Sequence, residues 1–492
     1  MNLSNNLRIF SKFFSQVLPI LLASLSGFAA ASELDALFAV ALASNPQLQA
    51  ARHQVEQTLA KHAETLGFFD PQLVVAAGKS ERSRVVPGST VASGLTDNAT
   101  VIRGGVEMAM RPGFYFSAGT AENFLTEPGA GHGSLFQTLL GMQLRIPLLR
   151  DCGFRKWHAE RASALAEYGR TSSHLLTVTQ ELRHDVEQAY VGVLEAMASY
   201  KVAQDATASF KTLVDEARAL TELKVVPEYQ IFPADMELQL QREDELKTKE
   251  SYETSIVRLR ELLGNGAKLD IDANTASMIK RARKVRIAES VDIGQVLNFR
   301  GPYREILNQI CASEADLLGA LEDTRSDLSL TMSTTWQGED PHNPVGYGRE
   351  LSGKHVGGEV MLLWKRPLGF RSERSRITQA RLHIRELRQS LREVELQICA
   401  DMEVATIALS NARKRLQLVS RAVTAAQQTL TAEQERFRLG GGRSRDVLDA
   451  QKDVITAIKR QTSIGAELLR AHSNFLFASG YMLLSPSDPK TE

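Results

Sequence analysis

Cysteine is almost missing from this chain. Only Cys152, Cys311 and Cys399 occur among 492 residues. They are odd in number, far apart and without a C-x-x-C pair, which excludes a disulfide scaffold and the spacing of a zinc site. Two readings of them stay open, a structural disulfide between two of the three or three single packed thiols. Net charge is missing as well: 58 basic residues balance 58 acidic ones, so no overall field recommends nucleic acid as a partner. Arg381, Arg385, Arg388 and Arg392 do cluster, but glutamates interleave with them, as on a solvated helix face with i,i+4 pairs. No Pro/Ser-rich linker separates compact halves.

Catalytic signatures are lacking too. The ten histidines are scattered, and there is no H-E-x-x-H and no G-x-S-x-G elbow. Gly440-Gly441-Gly442 lacks the lysine-serine ending of a phosphate loop and reads as a tight turn between helices. Gly129-Ala130-Gly131-His132-Gly133 reads as a connector. The expectation is a protein that is not an enzyme and holds no cofactor or metal.

Long apolar runs are confined to the first thirty positions. There Arg8 and Lys12 precede an apolar stretch from Phe13 to Leu25, and Ala29-Ala30-Ala31 supplies small residues for cleavage, so residues 1–31 read as a signal peptide with the mature chain starting near Ser32. No cysteine follows directly, which leaves a lipid anchor unsupported. Beyond this segment no run of about 20 apolar residues could cross a bilayer as a helix. If the mature chain enters a membrane, strands must carry it there.

What the chain does contain is a duplication. Gly153-Phe154-Arg155 recurs as Gly369-Phe370-Arg371, and Gly264 recurs as Gly480, both at an offset of 216 (369 minus 153, 480 minus 264). Leu175, Val178, Leu182, Val186, Ala189 and Val193 step by three or four. In the same register Leu391, Val394, Ile398, Met402, Ala405 and Leu409 do likewise. A stripe sustained this way predicts a long coiled-coil-like helix, built twice.

The organisation follows. The first repeat covers 32–264: a short helix interrupted at Asn45-Pro46, strands over about 71–148, a long helix over about 154–223 and a short helix over about 234–264. A connector spans 265–300. The second repeat covers 301–480, with a short helix, strands over about 327–367, a long helix over about 371–439 and a short helix over about 446–480; residues 481–492 form a tail. At about 1.5 Å per residue each long helix would reach on the order of 100 Å, and two short ones end to end would match it.

The strand regions alternate with period two. Leu140, Met142, Leu144 and Ile146 form one such set, Leu328, Leu330, Met332 and Trp336 a second, and Val356, Gly358, Val360, Leu362 and Trp364 a third. Leu73, Val75 and Ala77 keep the period less cleanly, because Val74 and Ala76 lie between them. Strands with one apolar face suit a membrane barrel. A small soluble sandwich capping the coiled coil is the other reading.

Several segments resemble the TolC-type outer-membrane factor family. They are Asn45-Pro46-Gln47-Leu48 with Ala50-Ala51, Asp70-Pro71-Gln72-Leu73, Pro147-Leu148-Leu149 before Gly153, and Phe437-Arg438-Leu439-Gly440 followed by Ser444 to Gln451. The resemblance covers nearly the whole mature chain. It implies a mainly α fold with a transmembrane β-barrel part: a homotrimer whose strands close one outer-membrane barrel and whose long antiparallel helices continue as a periplasmic α-barrel tunnel. It also implies partners, a periplasmic adaptor and an inner-membrane transporter, and contact with outer-membrane lipid. The function implied is a passive exit duct for efflux or type I secretion. A soluble periplasmic coiled-coil adaptor or scaffold is the alternative.

Two departures from that family stand out. Val101 to Met110 and Phe114 to Thr120 leave room for an additional hairpin whose place is open. The offset also puts Gly440 over Lys224 and Asp446 over Gln230, so the first interhelical turn, which contains Pro227, lacks the glycine and the acid of the second. By the resemblance, Asp446, Asp449, Phe437, Arg443 and Arg445 are candidates for a periplasmic gate around the turn Gly440, Gly441 and Gly442. Read without it, the two aspartates are carboxylates favouring a helix N-terminus.

Overall fold

In the computed structural model both long helices start from the same local conformation. Phe154 (φ 56°) and Phe370 (φ 50°) are left-handed, and each is followed at once by a helix of 68 residues, Arg155–Glu222 and Arg371–Arg438. The structure describes residues 33–84, 95–111, 113–126, 135–222, 231–264, 275–283, 293–340, 356–438 and 444–481. The signal-peptide segment, Gly129 to Gly133, Pro227, Gly440 to Gly442, Arg443 and the last eleven residues lie outside them.

Helices are numbered in chain order: α1 Glu33–Ser44, α2 Pro46–Glu64, α3 Arg155–Glu222, α4 Ile231–Leu263, α5 Thr275–Arg283, α6 Ile293–Phe299, α7 Gly301–Glu322, α8 Arg371–Arg438 and α9 Ser444–Ser479. Among the described residues the connector carries two helices, α5 and α6. The strands are β1 Gln72–Arg84, β2 Leu95–Met110, β3 Phe114–Thr126, β4 Leu135–Pro147, β5 Asp327–Asp340 and β6 Val356–Lys365. They form one antiparallel sheet in the order β1-β2-β3-β4-β5-β6. The additional hairpin is β2–β3, within that sheet.

The chain divides into two compact units. One comprises residues up to Arg52, Leu175–Gly301 and Glu395 onward; the other comprises His53–His174 and Pro302–Val394.

In the first unit the predicted stripes are the core. Leu182, Val186 and Val193 of α3 pack with Leu259 and Leu263 of α4 and with Ala41 and Leu48. Ala405, Leu409, Ala412 and Leu416 of α8 pack with Ile464, Leu468, Ala471 and Phe475 of α9. Each long helix thus buries its stripe on the last helix of its own repeat.

The ends of these helices explain the first family-like motif. Asn45 is the N-cap of α2: its Oδ1 accepts from the backbone N–H of Gln47 (3.0 Å) and of Leu48 (3.2 Å), with Pro46 at the first helical position, where a missing N–H costs nothing. Its Nδ2 donates to the Leu262 carbonyl (3.3 Å) and Ser44 Oγ to that of Leu263 (2.5 Å), satisfying the end of α4. Gly264, at φ 74°, ends that helix so close to Ser44 that a Cβ would lie 3.0 Å from its Oγ. The end of the second repeat is held in a similar way, by residues of the connector. Gly480, also at φ 74°, lies against Phe299, and Arg300 Nη1 donates to the Phe477 carbonyl (2.8 Å).

In the second unit the sheet meets its helices through aromatic rings. Phe68, Phe69, Tyr115, Phe154 and Trp157 pack edge to face with centroids 4.8–6.3 Å apart. Trp157 Nε1 donates to the Thr65 carbonyl (2.6 Å). Asp323 accepts ion pairs from Arg150 (2.7 Å) and Lys156 (2.9 Å). Burial pushes its carboxyl up, but the two cations outweigh this and hold it below the ordinary carboxylate range.

Candidate functional site

Two places carry chemistry: the start of α9 and the sheet. At the first, α9 is anchored through Leu448, which packs against Phe210, Leu213 and Val214 of α3 and Ala234 and Leu238 of α4. Val447, Leu448 and Ala450 are buried, so helical spacing turns Asp446 and Asp449 outward, and both are exposed. Arg445 lies 3.9 Å from Asp449, one turn along its own helix, with the two side chains 87% and 64% accessible. At that exposure the pair is weak. Of the other predicted gate residues, Phe437 falls in the last turn of α8.

Sequence reasoning missed a ladder of ion pairs holding α9 to α4. Lys452 Nζ reaches Glu237 (2.7 Å) and Lys459 Nζ reaches Asp244 (2.5 Å). The Glu237 side chain is only 8% accessible. Burial pushes its carboxyl up, but hydrogen bonds from Lys452 and Gln241 and the charge of Lys452 prevail and hold it low. The signal was present: both acids and both lysines are seven residues apart, two turns of one helix face.

At the sheet, register assigns the faces. One transverse row reads Gln72, Glu107, Ser117, Gln143, Ser333, Glu359, and the next reads Leu73, Val106, Ala118, Met142, Thr334, Gly358. The first row lies on a polar face and the second on an apolar one. All four alternating sets singled out in the sequence fall on the apolar face, joined by Ile102, Met108 and Phe116. Aromatic rings stand at both borders of that face. Phe116 and Trp364 lie near the strand ends that meet the helices, and Phe124 and Trp336 near the opposite ends. Much of this face is exposed, including Leu73 (76%), Val360 (71%) and Trp364 (62%). Polar residues interrupt it, among them Thr120, Thr334 and a pair in which Thr138 Oγ1 donates to Glu122 Oε2 (2.7 Å). An apolar band bordered by aromatic rings, with a polar opposite face, suits lipid on one side and water on the other.

Cys152, Cys311 and Cys399 are free thiols, so no disulfide joins them, but Cys152 and Cys311 are exposed rather than packed. Among the described residues no cluster of His, Cys, Asp and Glu could hold a metal ion, and no helix is long and apolar enough to cross a membrane.

Residues 37–265 and 328–480 match the model of the outer membrane efflux protein family. Among solved structures the chain is similar to the outer-membrane channel OprN, with 17% identity and a TM-score of 0.67 over 91% of this chain and 89% of that one. It is also similar to the outer membrane protein VceC of Vibrio cholerae (16%, 0.65, 91% and 96%). The open state of the MtrE outer membrane channel of Neisseria gonorrhoeae gives 16%, 0.65, 91% and 88%. At these identities the likeness is one of fold. No curated protein matches the sequence.

Proposed function

Because the chain belongs to the outer membrane efflux protein family, we propose that it is the outer-membrane duct of a tripartite efflux or type I secretion system. Three copies close one barrel with their strands and one tunnel with their helices. Substrate passes passively, handed over by an inner-membrane transporter through a periplasmic adaptor. The observation that carries this reading is the sheet, apolar on one face and polar on the other, with aromatic rings at both borders of the apolar face. A soluble adaptor would have no use for such a surface.

The helices support assembly. Leu396, Ile407 and Leu418 of α8 are spaced by eleven and are 72%, 53% and 64% exposed. Phe232, Met236 and Leu246 of α4 are similarly bare. Neighbouring copies would cover these side chains, as the two free edges of the sheet also require.

Asp446 and Asp449 then act as a gate. Around a threefold axis, three copies would bring the exposed carboxylates at the start of α9 together at the tunnel mouth. There they attract cations and are held by weak links that a partner can replace. Cell fractionation tests the duct: the chain should be recovered in the outer membrane with an N-terminus near Ser32. Recovery wholly in the soluble periplasm would favour the adaptor reading instead.

A further inference from the structure

The number of strands makes this barrel larger than a four-strand contribution per copy would. Resting on the trimeric duct proposed above, we propose that it has eighteen strands, with β2 and β3 as full wall members and a seam in which β6 of one copy pairs with β1 of the next. Among the described residues the order β1 to β6 leaves the outer edges of β1 and β6 without a strand partner, and open edges cannot face lipid. An even number of antiparallel strands gives these edges opposite directions, so a head-to-tail ring of copies continues the antiparallel pattern.

The residue types at the two edges identify what covers them. On the inner strands the polar face carries side chains such as Arg103, Glu107, Gln143, Thr331 and Ser333, with apolar exceptions such as Val101 and Leu139. On the edge strands the same face carries Val74 and Ala76 in β1 and Met361 and Leu363 in β6. Val74, Met361 and Leu363 are 44–46% exposed. When the strand ends nearest the helices are aligned, with Lys365 opposite Gln72 of the next copy, Met361 falls opposite Ala76 and Leu363 opposite Val74. On the other face the same register sets Leu362 against Val75 and Trp364 against Leu73. The apolar residues of the two edges therefore match pair by pair on both faces, which is how cross-strand contacts stabilise a sheet. This also explains why β1 keeps the two-residue period poorly: an edge strand meant for another copy is apolar on both sides.

Barrel geometry agrees. The transverse row starting at Gln72 ends at Glu359, six residues from Lys365 (365 minus 359). With the seam register above, each copy shifts the row by six residues and three copies by eighteen. Eighteen strands with that shift tilt by about 35°, inside the range found for membrane barrels. The wall would be roughly 33 Å across, against roughly 22 Å for twelve strands at the same tilt.

Curvature is provided for on the polar side. Gly105, Gly119 and Gly141 stand in one transverse row on three adjacent strands. A Cβ at Gly105 would lie 2.9 Å from the Ala118 carbonyl oxygen, and one at Gly119 2.8 Å from that of Gly104. The β2 and β3 backbones approach where a side chain would block them, so the added hairpin bends with the wall.

The test uses the full chain with its three cysteines replaced by serine. One arm introduces Ala76→Cys with Met361→Cys and applies an oxidant. The other places a spin label at Val106→Cys in β2, or at Ala118→Cys in β3, and compares its collisions with oxygen and with a water-soluble nickel reagent. The proposal expects covalent trimers and labels reached far better by oxygen than by nickel. Covalent trimers with water-exposed labels would overturn it while leaving the duct intact, because the hairpin would then lie outside a twelve-strand barrel. Trimers that form without the cross-link, while a Ser80→Cys with Met361→Cys pair does cross-link, would overturn the seam register. A soluble, monomeric chain would remove the duct reading itself.

Discussion

The two repeats differ in an instructive way: their helices agree and their strands do not. Each repeat has a long helix of 68 residues, starting from a left-handed phenylalanine and packed on the closing helix of the same repeat. Yet among the described residues the first contributes four strands and the second two. A long helix is held in register by a stripe that must stay buried over many turns, so insertion or deletion is costly. A sheet that closes by adding neighbours is constrained only to gain strands in antiparallel pairs, and a hairpin is such a pair.

The equivalence of the helices should break most visibly in their cores. Val193 and Leu409 occupy the same position of the repeat and both are fully buried. Leu409→Ala should destabilise by about 3 kcal/mol and Val193→Ala by about 2 kcal/mol. Denaturant unfolding in detergent measures both, and a large cost in only one would end the equivalence.

Next in size is the ladder between α4 and α9, which the two repeats make together. Lys452→Ala leaves the buried Glu237 carboxylate without its cation and should cost about 2 kcal/mol. The acid dependence fixes the sign. A carboxyl held low in the fold contributes stability above its unfolded pKa and loses it as pH falls through its lower folded pKa. Wild type should therefore lose this contribution on acidification, whereas Lys452→Ala has already lost most of it. Thermal melts from neutral to about pH 3 distinguish them, since the unfolded carboxyl titrates near about 4.3.

The smallest effect on stability should come from the second turn, where the repeats differ in charge. Asp446→Asn with Asp449→Asn should change stability by less than about 0.5 kcal/mol, because both side chains are exposed. In planar bilayers the same double variant should show weaker cation preference or a higher resting conductance. Unchanged currents would reduce the two residues to favourable charges at a helix end.

The helices were readable because a long helix reports its burial locally, in residues three and four apart such as Leu182 and Val186. The four alternating strand sets were readable for the same reason. The place of the β2–β3 hairpin was not, since Gly104 and Gly105 interrupt the alternation in β2 and only pairing with β1 and β3 fixes the register. The Lys452–Glu237 pair joins residues 215 apart (452 minus 237); the matching seven-residue spacings were visible, but nothing local shows that the two helix faces meet. At the start of α9 the charges of Asp446 and Asp449 were legible and their exposure was not, because which side of the helix is buried is decided by Leu448 packing on α3 and α4.

The proposed duct needs neighbours of the chain's own kind, and the mass of outer-membrane-extracted protein in mild detergent tests this directly. The prediction is a single species of about three times the mature chain, independent of dilution over a wide range. A folded monomer that remains monodisperse and conducts ions on its own would contradict it.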